Sequence, residues 1–126
     1  AFYENRKQKL TDGQERLKAA ELADYYRICF AHPAVEGILM WGFWEGANWI
    51  PASSLYRRDW SPTPAAGAYR DLVYGQWWTR EKGETGRNGE FSTRAFFGKY
   101  RVSAAGVTRE VELSKANGRV VVDLRN

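Results

Sequence analysis

Gly37-Ile38-Leu39-Met40-Trp41-Gly42-Phe43 is apolar along its whole length, without the polar alternation of a half-exposed strand. That pattern suits a buried strand of a parallel sheet, covered on both faces. Upstream, Thr11-Asp12-Gly13-Gln14 has capping-box spacing and predicts a helix to about Ala31. Leu17, Ala20, Tyr25, Ile28 and Cys29 form one stripe on it, with Leu22, Tyr26 and Phe30 beside them. His32-Pro33 stops it, because proline disfavours helix in the residue before it. Downstream, a long loop bearing Gly, Pro and Ser runs from Trp44 to Ser61. Thr63-Pro64 is an N-cap followed by proline at the first helical position. Ala65, Ala68, Tyr69, Leu72, Val73 and Gln76 keep helical spacing, so a second helix is expected to about Tyr74. Helix, buried strand, long loop and helix make the αβα signature of an α/β fold.

After Trp78 the pattern changes. Gly83, Gly86 and Gly89 punctuate a polar stretch, and period-two segments follow at Phe91–Phe97, Tyr100–Ala104, Val107–Leu113 and Val120–Leu124. Asn117-Gly118 signals a tight hairpin between the last two. The fold class expected is therefore α/β followed by β. The second part is a small antiparallel, β-sandwich-like module of four strands. The boundary falls near 75–80, giving parts 1–78 and 79–126.

Composition narrows the function classes. The 126 residues equal one ordinary domain or two very small ones, and a whole (β/α)8 barrel needs about 250. With 44% hydrophobic residues the chain is no disordered tail. No apolar run approaches the roughly 18 residues of a membrane span. One cysteine, Cys29, excludes an internal disulfide framework and a zinc-finger pattern. One histidine, His32, weighs against a histidine metal site or a Ser/His triad. No cofactor and no metal are expected. The start, Ala1-Phe2-Tyr3-Glu4-Asn5, shows no signal peptide and reads as the middle of a longer protein.

The net charge of +4 arises wholly in the second part: nine Lys/Arg face nine Asp/Glu over 1–78, against ten and six over 79–126. Without a basic run or a nucleic-acid motif, that surplus reads as a solvated sheet face. Neither nucleic acid nor a membrane is an expected partner.

Chemistry concentrates in the tryptophans. Trp41, Trp44, Trp49, Trp60, Trp77 and Trp78 fall within 38 positions. Tryptophan serves in cores and as a flat stacking platform. Met40-Trp41-Gly42-Phe43-Trp44-Glu45-Gly46-Ala47-Asn48-Trp49 lies at the C-terminal end of the expected strand, where barrels carry their active-site residues. Two tryptophans eight apart, with a carboxylate and an amide between them, are suited to floor and wall a sugar site. Ordinary packing is the competing reading.

His32-Pro33-Ala34-Val35-Glu36-Gly37-Ile38, running into Met40-Trp41-Gly42-Phe43-Trp44-Glu45-Gly46, resembles the end of the catalytic barrel of glycoside hydrolase family 10, the retaining endo-1,4-β-xylanases. The family's last barrel strand carries Trp-Gly, then an acidic residue, then a second Trp eight residues after the first. Here these are Trp41, Glu45 and Trp49. Family members more often have Asp where Glu45 stands, and a small or basic residue where Trp44 stands. Leu55 to Tyr69, with Asp59 and Thr63-Pro64-Ala65-Ala66, resembles the loop and helix that close the family's barrel. The resemblance covers residues 15–78. The β-module is similar to short C-terminal appendages on some bacterial members.

The resemblance implies a C-terminal αβα piece of a (β/α)8 barrel at 1–78 and an appended β-module at 79–126. Retaining hydrolysis uses two glutamates, as acid/base and as nucleophile, about 5–5.5 Å apart. In the family these end the fourth and seventh strands, which puts both before Ala1, and no residue here matches either motif. The implied catalytic set is therefore none, and the chain alone is expected to be inactive. The implied substrate contacts are Trp41 and Trp49 around the sugar at the cleaved bond, with Trp44, Glu45 and Asn48. The implied partner is xylan or a xylo-oligosaccharide, and the implied location extracellular or periplasmic. The missing barrel part or other copies of the chain are expected to cover the open strand.

Two other function classes stand beside this one. The chain can be a stand-alone carbohydrate-binding module using the Trp cluster, or a structural appendage whose β-module mediates attachment. Asp59, near Arg57 and Arg58, reads as a capping or salt-bridging residue before it reads as a carboxylate partner of Glu45. His32 reads as a helix-terminus hydrogen-bonding group, Cys29 as inert core, and Trp77 with Trp78 as packing between the two parts.

Overall fold

Thr11 starts the first helix as its spacing predicts. Its hydroxyl accepts from the Gln14 amide at 3.3 Å, and the Gln14 side chain accepts from the Thr11 amide at 2.9 Å. The helix, α1 (Asp12–Ala31), ends at His32, whose backbone is extended and whose amide bonds the Cys29 carbonyl at 3.2 Å. His32 Nδ1 accepts from the Ala34 amide at 3.3 Å, the helix-end role its position suggests. The computed structural model describes residues 8–125; the start at residues 1–5, read above as interior sequence, lies outside them. The chain divides into one unit ending at Gln76 and another beginning at Trp77.

In the first unit, α2 (Pro64–Asp71) follows Thr63, which caps through its extended backbone and not its side chain. The expected length to about Tyr74 is completed by a single π-turn, Leu72–Gln76. Ala65 and Ala66 are wholly buried and, with Leu55, form the core against which Ala19, Leu22, Tyr56 and Tyr69 pack. Two adjacent alanines let α1 approach closely, and Tyr26 meets Tyr69 edge to face at 5.6 Å.

The face that α1 buries differs from the expected stripe. Glu15, Ala23 and Tyr26 are buried, whereas Leu17, Tyr25, Ile28 and Phe30 are exposed. The cause is electrostatic. Glu15, 4% exposed, holds Arg57 of the long loop at 2.6 Å and Lys18 at 2.9 Å. Lys18 in turn donates to the Ala52 and Ser54 carbonyls at 2.9 and 3.1 Å. This network turns a polar edge of α1 inward.

Residues 37–43 form no strand. Leu39 is 97% exposed and Trp41 88%. A strand requires a ladder partner for its amides and carbonyls, and no described residue pairs with 37–41. Only at Phe43 and Trp44 does pairing begin. Ile38, Leu39 and Met40 instead border an open groove of about 390 Å³ with Leu22, Tyr25 and Tyr26 of α1.

In the second unit, β1 (Gly98–Ala104) pairs antiparallel with β2 (Val107–Leu113), with Tyr100 opposite Val111 and Arg101 opposite Glu110. Their turn, Ala105-Gly106, has both residues at positive φ, 49° and 83°, as a type I′ hairpin requires. Four strands were expected; among the described residues only these two pair. The flanking segments spend their bonds elsewhere. The Phe96 amide donates to Thr79 Oγ1 at 3.2 Å and its carbonyl accepts from Tyr100 Oη at 2.6 Å. Asn117-Gly118 does turn the chain, but the Asn117 side-chain Nδ2 donates to the Glu112 carbonyl at 2.8 Å. A strand at 120–124 would need groups of that kind. Val120, Val122 and Leu124 still alternate in burial with Val121 and Asp123.

Burial raises the Glu15 carboxyl, but hydrogen bonds from Lys18 and Arg57, with their charges, outweigh it and leave the carboxyl below its ordinary 4.5. A carboxyl depressed in the folded state stabilises fully above its unfolded pKa, and that contribution is lost as pH falls through the folded value. Thermal melts should therefore show a melting temperature that drops as pH is lowered below 4.5. Glu15→Gln should flatten that drop and cost about 2 kcal/mol at neutral pH. This lies under the 3–5 of a fully buried pair because Arg57 reaches water. A Glu15→Gln variant as stable as the parent at pH 7, with the same acid profile, would contradict the network's role.

Candidate functional site

The loop after residue 43 is knit by its backbone. The Phe43 carbonyl accepts from the Leu55 and Tyr56 amides at 3.0 and 2.9 Å, and the Glu45 amide donates to the Tyr56 carbonyl at 2.9 Å. The Thr63 amide then donates to the Leu55 carbonyl at 2.8 Å, which fixes the loop to the start of α2. A turn at Trp44 closes when the Ala47 and Asn48 amides donate to its carbonyl at 3.2 and 3.1 Å.

Asn48 is the polar strut inside. It is 8% exposed. Its amide nitrogen lies 3.2 Å from the Gly42 carbonyl, 3.1 Å from Ser53 Oγ and 2.8 Å from Ser54 Oγ, and its Oδ1 accepts from the Ile50 amide at 3.2 Å. Two glycines make room. Gly42, at φ 78°, would put a Cβ 2.9 Å from the Asn48 side chain. Gly46 lies under the Trp44 ring, which occupies the place of a Cβ.

The aromatic residues divide into two groups. Trp44 stacks on Trp60 at 5.1 Å with ring planes 9° apart, and its indole N–H donates to the Arg58 carbonyl at 3.2 Å. Phe43 and Tyr56 lie against Trp60 at 6.2 and 6.3 Å. The second group, Trp41 and Trp49, presents much of its surface to solvent, as Trp60 does; Trp49 is 51% exposed and Trp60 56%. Of the residues singled out in the sequence, Trp44, Glu45 and Asn48 are thus drawn into the loop's own structure.

The carboxylates are likewise occupied. Glu45 Oε2 accepts from the Arg58 amide at 2.9 Å. Asp59 Oδ1 accepts from the Ser61 hydroxyl at 2.6 Å and its amide at 3.0 Å, and these bonds, the hydroxyl first, hold its carboxyl below the ordinary range. A depressed carboxyl is a poor proton donor near neutrality, and Asp59 caps its turn as its setting suggested. Glu45 and Asp59 border one cavity of about 570 Å³ with Lys9, Leu10, Arg57, Arg58 and Ser61. Among the described residues no group of His, Cys, Asp or Glu could hold a metal ion.

No family model matches the chain. It is similar to an anti-sigma-I factor of Acetivibrio thermocellus, 39% identical over 90 residues that cover 71% of this chain and 12% of that protein. It is similar to endo-1,4-beta-xylanase 1 of Arabidopsis thaliana, 34% identical over 88 residues, 70% of this chain and 9% of the relative. It is also similar to endo-1,4-beta-xylanase B of Cellvibrio japonicus, 30% identical over 54 residues, 43% of this chain and 9% of that enzyme. The chain carries a xylanase-related region. It spans about a tenth of the length of the curated relatives it matches.

Within the first unit, sequence reasoning passed over the residues that hold the loop. Glu15 and Lys18 stand three apart on α1, a spacing that brings side chains together, but nothing local links them to Arg57. Trp60 was read only as one of six tryptophans. Its left-handed backbone, φ 67°, has no sequence signal, since a bulky residue rarely adopts it.

The glycine beneath the stack gives a direct test. Gly46→Ala should push the Trp44 ring off Trp60 and cost about 1–3 kcal/mol, the range of an overpacked site. The near-ultraviolet circular dichroism of the coupled indoles should fall with it. Gly67→Ala on α2, where a Cβ meets nothing within 4 Å, should instead stabilise by about 0.5–1 kcal/mol. An unchanged indole signal in Gly46→Ala would show that the stack does not fill that space.

Proposed function

We propose that this chain is the C-terminal portion of a family 10 endo-1,4-β-xylanase of extracellular or periplasmic location. It supplies the last strand, loop and helices of the catalytic barrel together with an appended β-module. In this reading Trp41 and Trp49 contact the xylan backbone. Trp44, Glu45 and Asn48 shape the loop that carries them, and the catalytic carboxylates lie elsewhere in the parent protein. The β-module has an accessory role.

One observation carries the reading most directly. The apolar segment 37–41 and the α1 stripe of Leu17, Tyr25 and Ile28 lie open on an otherwise well-bonded unit. Exposed apolar surface of that extent marks a face made to be covered. A neighbouring strand and helix of a barrel, or a second copy of the chain, are the covers that fit. The similarity to named xylanases supports xylan as the substrate class. A second reading, sugar binding without hydrolysis, is supported by similarity to a protein that is named as an anti-sigma factor and not as an enzyme.

Both readings predict sugar contact without turnover. Stacking adds about 1 kcal/mol per aromatic platform, and helps only where the platforms are held beforehand. The purified chain should release no reducing sugar from xylan at any pH. Titration with xylohexaose should give a dissociation constant of millimolar order or poorer, weakened further by Trp41→Ala or Trp49→Ala. Turnover abolished by Glu45→Gln would place the machinery within this chain. Micromolar affinity untouched by either tryptophan substitution would move the site and favour the binding-module reading.

A further inference from the structure

Trp60 stands apart from the residues assigned above. It is 56% exposed, yet its position is closely determined. One face of the ring lies on Trp44 at 5.1 Å, with Phe43 and Tyr56 tilted against it. Its backbone sits at φ 67°, unfavourable for a bulky side chain. A short set of bonds maintains that conformation. The Trp60 amide donates to the Arg57 carbonyl and the Arg57 amide to the Ser61 carbonyl, both at 2.9 Å. Asp59 clasps Ser61 twice. A glycine would meet this backbone without strain, so the conformation serves the placement of an indole.

From this arrangement we infer that Trp60 is a second carbohydrate platform, distinct from the Trp41 and Trp49 pair, which takes a neutral pyranose unit of a xylan chain on its open face. The inference rests on the xylan reading for its ligand class. The neighbourhood agrees with it. In the chain Trp60 is flanked by Arg57, Arg58, Asp59 and Ser61, and in the fold its ring adjoins those of Trp44, Phe43 and Tyr56, so it is the exposed plane of a small aromatic cluster edged by polar residues. A lipid surface calls for a larger continuous apolar patch. A sugar ring has an apolar face bounded by hydroxyls, which suits a flat ring with polar neighbours. Trp44 holds the platform from behind, so little freedom is lost when a ligand arrives. The same stack gives Trp44 a use that sugar contact did not require.

The test uses the whole chain and xylohexaose. With the indole N–H resonances assigned, the Trp60 signal should shift saturably on titration. Trp60→Ala should weaken binding about threefold or more, the scale of one aromatic contact, and Trp60→Phe should recover part of the loss. A Trp60 signal that stays still while those of Trp41 or Trp49 move would overturn the inference and leave the primary reading standing. A Trp60 signal that moves while theirs stay still would do the reverse. If no indole moves, both fall. Should Trp60→Ala unfold, the resonance of the unsubstituted chain decides alone. A folded Trp60→Ala with parent affinity overturns the inference.

Discussion

A buried carboxylate organises the first unit. Glu15 has almost no contact with water, and its charge is balanced by Lys18 from its own helix and Arg57 from the loop forty-two residues on. Two cations around one buried acid make a geometry that cannot slide. If α1 shifts along the loop, the carboxylate loses its partners and the cost of burying a charge returns in full. Lys18 extends the clamp by capping the carbonyls of Ala52 and Ser54, which the loop leaves without partners of its own kind. The orientation of α1, the seating of Ala65 and Ala66 beneath it and the exposure of the Leu17–Ile28 stripe follow from that constraint.

The clamp also fixes what the loop displays. Because Arg57 is anchored, the turn through Arg58, Asp59 and Ser61 is anchored, and Trp60 projects from it against Trp44. The loop's interior is satisfied through Asn48, so the turn at Trp44 needs no outside partner. Trp41 lies before this braced region, where backbone pairing has not yet begun. The consequence for function is a division of labour within one short stretch. The far part of the loop is preorganised, while Trp41, exposed to solvent, lies outside its bonds. In the proposed reading, weak binding by the isolated chain and firmer binding within a completed barrel would follow from this same arrangement.

What the sequence disclosed follows the range of the forces involved. The Thr11 and Gln14 capping box, the proline stop after His32 and the Thr63-Pro64 start depend on bonds within a few residues, and each stands where its spacing placed it. The β1–β2 segments were legible because their alternation surrounds a two-residue turn. Long-range choices were not legible. The buried face of α1 was set by Arg57, which no helical pattern can announce, and so the apolar stripe was taken for the core. Residues 37–43 have the composition of a buried strand, but 37–41 have no ladder partner among the described residues. Composition records what a segment is suited to, not what lies beside it. At Phe96 and Asn117, side-chain bonds took backbone groups that the period-two pattern had allotted to a ladder. At the site, Trp41 and Trp49 stood out by their eight-residue spacing, while the exposure of Trp41 ran against the buried strand expected there. The bracing role of Asn48 was not legible, because an amide that braces a loop and a sugar-binding amide have the same letter, and Trp60 was hidden by a backbone conformation that sequence does not encode visibly.

Amide hydrogen exchange of the whole chain tests the central claim, that a braced loop follows an open, unpartnered edge at residues 37–41. Amides bonded across the loop, those of Glu45, Tyr56 and Thr63, should be protected by about a hundredfold or more, because they open only with the Glu15 clamp. Amides of Leu39, Met40 and Trp41 should exchange nearly as fast as in an unfolded chain. Protection at residues 39–41 equal to that at Tyr56, at protein concentrations too low for association, would show that this edge is already paired within the chain and would contradict the account.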